Sequence, residues 1–269
     1  MEDLRGDMNE LALFAGAGGG ILGGKLLGWR TICAVEWEPY PASVLVARQN
    51  DKILKTFPIW DDVQTFNGKP WRGLVDVVSG GFPCQDISAA GKGAGIDGER
   101  SGMWGEMARI IHEVRPRFAF VENSPMLTSR GLGRVLGDLA AMGFDAKWGV
   151  LGAGNIGANH NRDRIWILAK WSGQLSYTQY NRIRRWEQQQ EGIKKEIINS
   201  SSEDVEGQRK IFFRIQKKFR DISNASWWKS EPNVGRVADG VAARVDRLKA
   251  IGNGQVPLCA ATAWRILSE

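Results

Sequence analysis

Short apolar runs alternate with helical stretches along the first 170 residues, and this alternation limits the possible folds more than any other feature of the chain. Glycines separate the apolar runs from segments with helical periodicity. The candidate strands are Leu11 to Phe14, Thr31 to Glu36, Leu74 to Ser79, Phe118 to Glu122, Ala146 to Leu151 and Arg164 to Ala169. The candidate helices are Tyr40 to Gln49, Met103 to Val114 and Leu132 to Met142. This pattern predicts an α/β fold with a doubly wound, mostly parallel sheet, in which ligands bind at the carboxyl ends of the strands.

The composition indicates a folded protein of enzyme size. The chain has 269 residues, of which 43% are hydrophobic, and no apolar run reaches the roughly 18 residues that a membrane-spanning helix needs. Three widely spaced cysteines, Cys33, Cys84 and Cys259, and two histidines argue against a disulfide framework and against a zinc site. The first residues lack the pattern of a secretory signal. We therefore expect a protein of the reducing cytoplasm that binds no metal.

The stretch from residue 171 to residue 233 is rich in Gln, Asn, Ser and charged residues. Residues 171–230 contain 12 Lys and Arg against 7 Asp and Glu, and so carry +5 of the net charge of +6. A polyanion such as DNA would be attracted to such a stretch, although a solvated insert can have the same composition. Beyond it, Pro257 stands near the first turn of an apolar C-terminal helix. We expect a discontinuous large domain, residues 1–170 plus 234–269, and a small appended recognition domain at 171–233.

A glycine-rich loop follows the first candidate strand and opens a helix. Residues 14 to 20 read FAGAGGG, and glycines at such a turn let the backbone approach a ligand. Glu36 ends the second strand, where a carboxylate can accept hydrogen bonds from both hydroxyls of a ribose. Asp62 lies near the expected end of the next strand and could accept one from an adenine amino group. These residues alone also fit a dinucleotide site, whereas a P-loop is disfavoured because no Gly-Lys-Ser/Thr follows.

A loop with one cysteine follows the candidate strand that ends at Ser79. Its sequence from residue 80 is GGFPCQDIS, which puts Cys84 beyond the carboxyl end of a strand, where folds of this class carry their chemistry. Because Gly-rich sequence flanks Cys84 on both sides, we expect that residue to be exposed. Cys33 and Cys259 lack this context, and we expect both to be buried and inert.

Five motifs occur in an order that resembles the DNA cytosine-5 methyltransferase family, of the prophage or restriction-modification type. The glycine loop is similar to its FxGxGG motif, and GGFPCQDIS is similar to its proline-cysteine motif. FVEN at residues 120–123 is similar to its Glu-Asn motif, and RDR at residues 162–164 to the arginine pair of its QxRxR motif. GNGQVP at residues 252–257 is similar to its GNxxxP motif.

The resemblance implies a fold, a cofactor, a substrate and a set of site residues. It implies the Rossmann-like fold of methyltransferases that use S-adenosylmethionine, acting as a monomer on double-stranded DNA in a bacterial cell or a phage-infected host, without a membrane partner. The implied catalytic residues are Cys84, Glu122, Arg164 and Arg162. The implied cofactor-binding residues are Phe14, Gly16, Gly18, Gly19, Glu36, Trp37, Asp62, Val63, Pro83, Asn253 and Val256.

In the implied reaction, the Cys84 thiolate adds to C6 of a flipped-out cytosine while Glu122 protonates or hydrogen-bonds N3. C5 then takes the methyl group, and loss of the C5 proton and of Cys84 yields 5-methylcytosine. Arg164 and Arg162 would hold the base O2 and the active-site groups. The Gly-rich run from Ala89 to Arg100 is suited to close over the base.

Three alternatives stay open from the sequence. One branch of the family with the same motifs methylates cytosine in transfer RNA, so the substrate could be RNA. A catalytically decayed homologue that only binds DNA is a second alternative, which the intact Cys84, Glu122 and Arg164 argue against. A nicotinamide-dependent oxidoreductase is the third, and it leaves the proline-cysteine and Glu-Asn motifs unexplained.

Overall fold

The computed structural model describes residues 8–83, 103–173 and 244–269, and the strands among them form one seven-stranded sheet. These strands are β1 (Asn9–Leu13), β2 (Arg30–Val35), β3 (Ile59–Trp60), β4 (Val77–Gly80), β5 (Phe118–Asn123), β6 (Phe144–Gly152) and β7 (Asp163–Trp171). Their order across the sheet is β3-β2-β1-β4-β5-β7-β6. β7 runs antiparallel to both of its neighbours, and the other pairs are parallel. The predicted α/β class with a mostly parallel sheet is confirmed.

The helices are distributed on both faces of the sheet. They are α1 (Gly19–Leu26), α2 (Pro39–Asn50), α3 (Met103–Val114), α4 (Leu127–Arg130), α5 (Leu132–Ala141), α6 (Arg244–Asn253) and α7 (Pro257–Ser268). A proline at the first turn starts α2 and α7, where its missing N–H would have no helical partner. α3 buries one apolar side that includes Met107, Ile110 and Val114, as its helical periodicity predicts.

Alternate residues of β1 pack on opposite faces of the sheet, and each face has its own helices. Leu11 and Leu13 belong to the core that includes α3 and α5, whereas Ala12 packs with α1 and α2. α7 lies beside α1: a Cβ atom added to Gly23 would be 2.7 Å from the Cβ of Ala260. The last helix of the chain is therefore packed against the helix that follows the glycine loop.

Several strand boundaries differ from the predicted ones. β4 starts at Val77, and Leu74, the predicted start, lies in the preceding loop with 56% of its surface exposed. β6 and β7 each have nine residues, longer than predicted, because they pair with each other along their whole length. Such pairing depends on the partner strand, so the local sequence does not reveal where it stops.

Several predictions fall on residues outside the described ranges: Cys84, the run from Ala89 to Arg100, and the recognition segment beyond residue 173.

The direction of β7 constrains where that segment begins. β7 starts beside the carboxyl end of β5. It ends at Trp171, beside the residues at which β5 begins. With a rise of about 3.3 Å per residue, the chain leaves β7 at Trp171, roughly 23 Å from Arg164. None of the helices within the described ranges combines the length and hydrophobicity needed to cross a membrane.

Candidate active site

A cleft of about 360 Å³ lies at the carboxyl ends of β1, β4 and β5. Phe14 and Gly16 line it from the glycine loop, Gly81 lines it from the end of β4, and Glu122 lines it from β5. Asn253, the last residue of α6, also lines this cleft. The cleft lies at the edge of the sheet where the sequence predicts ligand binding.

The glycine loop turns sharply between β1 and α1. Phe14, Gly16 and Gly18 have φ angles of 51°, 55° and 89°, a left-handed conformation that glycine adopts without steric cost. α1 then begins at Gly19, where an added Cβ would collide with the main-chain carbonyl of Gln255. Position 19 therefore has no room for a side chain, since the first and the last motif of the chain touch there.

Glu36 holds the glycine loop from the end of β2. One carboxylate oxygen accepts a hydrogen bond from the Gly16 N–H at 2.6 Å, and the other accepts one from the Glu38 N–H at 2.8 Å. The residue is buried, and burial raises the pKa of Glu36 although both N–H groups favour the charged form. Lys249 of α6 binds both carboxylate oxygens of Glu38 at 2.8 Å, so α6 is tied to the same turn.

Of the predicted cofactor residues, three line the cleft, Phe14, Gly16 and Asn253, and eight lie outside its lining: Gly18, Gly19, Glu36, Trp37, Asp62, Val63, Pro83 and Val256. Trp37 follows Glu36 and is 70% exposed. Asp62 lies just after β3, where its Oδ1 accepts a hydrogen bond from the Gln64 N–H at 2.9 Å. Val63 is buried in the core, and its carbonyl accepts a hydrogen bond from Arg109 at 2.8 Å. Their predicted contacts with an adenine stay predictions.

Glu122 and Arg164, two predicted catalytic residues, form an ion pair beside the cleft. Arg164 Nε lies 2.7 Å from Glu122 Oε1, and Gln255 Nε2 lies 3.4 Å from Glu122 Oε2. Burial raises the pKa of Glu122, while the charges of Arg164 and Arg162 and the hydrogen bonds from Gln255 and Arg164 oppose that shift. A buried carboxyl group of this kind can act as a general acid near neutral pH.

Arg162 binds the main chain at the end of α6. The Nη2 atom of Arg162 donates to the carbonyl oxygens of Gly252 and Gly254, both at 2.5 Å. This contact fixes the loop that brings Asn253 to the cleft, whereas Val256 is half-buried and packs in the core beneath α7. The structure thus gives Arg162 a role in holding the loop, and its predicted contact with the base stays a prediction.

The chain segment that leads to Cys84 is fixed as far as Pro83. The side-chain amide of Asn123, next to Glu122 on β5, donates to the Phe82 carbonyl at 3.0 Å. Pro83 is half-buried, and Cys84 follows it directly in the sequence. Asn123 therefore ties the end of β4 to β5.

The other two cysteines are buried, as predicted. Burial raises the pKa of the Cys33 thiol to about 11 and that of the Cys259 thiol to about 12, so both are protonated and unreactive at neutral pH. Within the described ranges, no group of three or more His, Cys, Asp or Glu residues could hold a metal ion.

Sequence reasoning gave no role to two residues of this site, Asn123 and Gln255, although both stand in quoted motifs. Asn123 contacts a residue 41 positions away, and Gln255 contacts one 133 positions away. No local pattern indicates contacts of that separation. The motifs themselves were the available signal, since each places a polar amide next to a residue with a predicted role.

Comparison with known proteins gives one family and several partial relatives. Residues 8–255 match the family described as C-5 cytosine-specific DNA methylase. The chain is 33% identical over 133 residues to the Type II methyltransferase M.CviJI of Paramecium bursaria Chlorella virus IL3A, a match over 48% of this chain and 36% of that protein. It is 37% identical over 125 residues to the Type II methyltransferase M.PspPI of a Psychrobacter species, over 46% of this chain and 29% of that protein.

These matches cover about a third of the length of the curated relatives. Among solved structures, the fold is similar to that of Spodoptera frugiperda DNMT2, with a TM-score of 0.50 and 19% identity over 62% of this chain and 51% of that one. At that identity, the structural likeness concerns the fold alone.

Proposed function

The chain belongs to the C-5 cytosine-specific DNA methylase family, and from this membership we propose that it transfers a methyl group from S-adenosylmethionine to C5 of cytosine in double-stranded DNA. The observation that carries the proposal is the ion pair of Glu122 and Arg164, which lies beside the cleft at the end of β5. The neighbouring strand β4 ends at Gly80, and Cys84 follows four residues later in the sequence, which supports the assignment of Cys84 as the nucleophile that acts with this acid.

The residues of the cleft fit an adenosyl cofactor. A carboxylate has about four acceptor positions, and at Glu36 two are used by the N–H groups of Gly16 and Glu38, which leaves others for the hydroxyls of a ribose. Apart from Gly16 and its two chain neighbours, no atom of the described residues lies within 4 Å of the position that a Cβ on Gly16 would take, so a ligand could approach the backbone there. When bound, S-adenosylmethionine supplies an electrophilic methyl group on a sulfonium.

We assign the chemistry on the base to the residues at the ends of β4 and β5. The Cys84 thiolate adds to C6, and Glu122, protonated, donates its proton to N3, so that the ring electrons become available at C5. After methylation, C5 gives its proton to a water molecule, the bond between C6 and Cys84 breaks to regenerate the thiolate, and N3 returns its proton to Glu122. Arg164 holds Oε1 of Glu122 and so orients the carboxyl group.

The cytosine must leave the base stack before Cys84 can reach C6, at a cost of a few kcal/mol that protein contacts must offset. We assign those contacts to the recognition segment, residues 171–233, because it carries most of the net charge. Its polar and basic composition is the support for this assignment.

Charge reversal at both Lys217 and Lys218 should reduce the salt dependence of DNA binding by about two units of log-log slope, whereas an unchanged slope would leave the segment a spacer.

Bisulfite sequencing of DNA from cells that express the chain tests the proposed activity. We expect 5-methylcytosine at a defined sequence context, absent from cells that express Cys84→Ser. Bisulfite sequencing of transfer RNA from the same cells tests the RNA alternative, because methylation there and not in DNA would replace the proposed substrate. Methylation in neither nucleic acid, with DNA binding retained, would favour a decayed homologue.

A further inference from the structure

Gln255 contacts the proposed catalytic acid from the side opposite Arg164. Its Nε2 atom lies 3.4 Å from Glu122 Oε2, while Arg164 Nε lies 2.7 Å from Oε1. Each oxygen of this buried carboxyl group therefore has its own donor. The terminal torsion of a glutamate is broad, so one contact leaves the carboxyl plane free to turn, and a second contact on the other oxygen fixes it.

Gln255 is also packed against the two segments that the reaction must bring together. A Cβ added to Gly20, in the first turn of α1, would collide with Gln255 Oε1. One added to Gly81, on the path to Cys84, would come 3.1 Å from Gln255 Nε2. The Gln255 side chain thus fills the space between α1, Gly81 at the end of β4, and Glu122.

We propose that Gln255 is a positioning residue that orients the Glu122 carboxyl group toward the cytosine ring, an inference that rests on the proposed methyltransferase function. Gln255 does not touch the reacting atoms in this role. It acts by holding Oε2 while Arg164 holds Oε1, so that the proton of Glu122 points toward N3. The same residue lies against α1, which makes the geometry of the acid depend on the fold of the cofactor loop.

The role has a consequence for the pH dependence of the reaction. Donation from Gln255 favours the charged form of Glu122, so its loss raises the pKa of Glu122 further. The other charged and titratable groups that act there, Arg162, Asp163, Arg164 and Cys259, are unchanged by the substitution. Since the protonated acid is the active form, activity falls as pH rises through that pKa, and the fall moves to higher pH in the variant.

Gln255→Met tests the inference, because methionine keeps the length of the side chain and removes its donor. We expect kcat for methyl transfer to unmethylated genomic DNA to fall about three- to tenfold, as for loss of one neutral hydrogen bond, with the KM for DNA and the Kd of S-adenosylmethionine nearly unchanged. Gln255→Glu should raise the pKa of Glu122 more than Gln255→Met does, since a second carboxylate would face Oε2.

The matched control is Gln49→Met, which removes another glutamine hydrogen bond, from the Phe57 N–H to Gln49 Oε1 at the end of α2. It should leave kcat and the pH profile as in wild type. A second readout is the ¹³C shift of the Glu122 carboxyl against pH, assigned with Glu122→Gln. Its midpoint should move upward in Gln255→Met.

The outcomes separate this inference from the proposed function. A wild-type chain without methyl transfer to DNA contradicts the proposed function, whatever Gln255 does. An active wild type whose Gln255→Met variant keeps the same kcat, pH profile and carboxyl titration overturns the inference alone. A fall in kcat with an upward shift of both the pH profile and the carboxyl titration supports it, and a fall in kcat without either shift contradicts it, because lost packing would explain that result.

Discussion

Glu36 and Glu122 are buried carboxylates at the carboxyl ends of two strands of one sheet, yet their partners differ in kind. Glu36 is held by main-chain N–H groups of Gly16 and Glu38, whereas Glu122 is held by the side chains of Arg164 and Gln255. The ends of β1 and β4 lie between them, which is three strand spacings or roughly 14 Å. Glu122 therefore lines the cleft, and Glu36 supports it through the main chain of Gly16.

The difference in partners indicates a difference in role. Main-chain donors are fixed by the fold of the loop, so the geometry at Glu36 is set before any ligand arrives, as suits a binding residue. Side-chain donors can adjust to a substrate and to a change of protonation, as suits an acid. Substitutions near Glu36 should therefore change affinity for the cofactor, and substitutions near Glu122 should change kcat.

Cys84→Ser should give the largest effect, and only on the chemical side. We expect methyl transfer to fall by a factor of roughly a thousand or more, because a serine hydroxyl is a much weaker nucleophile than a thiolate. The affinity for S-adenosylmethionine, measured by calorimetry, should stay within about twofold of wild type. Near wild-type turnover in this variant would contradict the proposed mechanism.

DNA that contains 5-fluorocytosine sharpens the same test. After methylation, the fluorine on C5 cannot leave as a cation, so the bond to the nucleophile cannot break. Wild type should form a complex with this DNA that survives denaturing electrophoresis, and Cys84→Ser should form none. Trapping by the serine variant would assign the nucleophile to another residue.

The same substitution at both carboxylates compares the two sides directly. Glu122→Gln cannot donate the proton to N3, so kcat should fall by about 10² to 10⁴, with the Kd of S-adenosylmethionine unchanged. Glu36→Gln keeps one acceptor oxygen and should weaken S-adenosylmethionine binding about tenfold while kcat at saturation changes little. Methyl-transfer kinetics and calorimetry on both variants provide the measurement.

If both variants lost kcat and affinity together, the division of the cleft into a binding side and a chemical side would be wrong. Glu36→Ala serves as the stronger form of the second variant, since it also frees the Gly16 and Glu38 N–H groups. It should weaken S-adenosylmethionine binding more than Glu36→Gln does and leave DNA binding unaffected. Binding of a nicotinamide cofactor by wild type would contradict the assignment of this side.

The sequence predicted the sheet and the place of the cleft better than it predicted the contacts among the residues of the site. Glu122 and Arg164 stand in motifs, and their pairing follows from adjacent strands β5 and β7. The contact of Arg162 with Gly252 and Gly254 joins residues about 90 positions apart, so it depends on how α7 packs against the sheet. Tertiary packing of this kind has no local signature.

Glu10 is a third buried carboxylate, and it lies on β1 between the other two. It is fully buried, accepts hydrogen bonds from Thr31 Oγ1 and Ser79 Oγ at 2.6 Å each, and its pKa is raised by burial although both hydroxyls favour the charged form. Both of these partners are neutral hydroxyl groups, so we expect Glu10 to contribute neither to binding nor to chemistry. Glu10→Gln should leave kcat and the Kd of S-adenosylmethionine unchanged.

The effect of Glu10→Gln should instead appear in stability, and it should depend on pH. Below the pKa of an unfolded glutamate, near 4.3, Glu10 is neutral in both states, so wild type and variant differ little. As pH rises from there through the raised pKa of the folded state, wild type loses stability because the unfolded chain gives up the proton more readily, whereas glutamine has no proton to lose.

At pH 8, Glu10→Gln should therefore be more stable than wild type by about 1 kcal/mol, measured by urea unfolding at pH 5 and pH 8. Glu36 and Glu122 titrate in both proteins, so the difference between the two unfolding curves isolates Glu10. Glu10→Ala is the control: it leaves the Ser79 and Thr31 hydroxyls without their acceptor and should be less stable than Glu10→Gln by about 2 kcal/mol at both pH values. Equal stability of wild type and Glu10→Gln at pH 8, or a loss of kcat in that variant, would show that this carboxylate belongs with the functional pair after all.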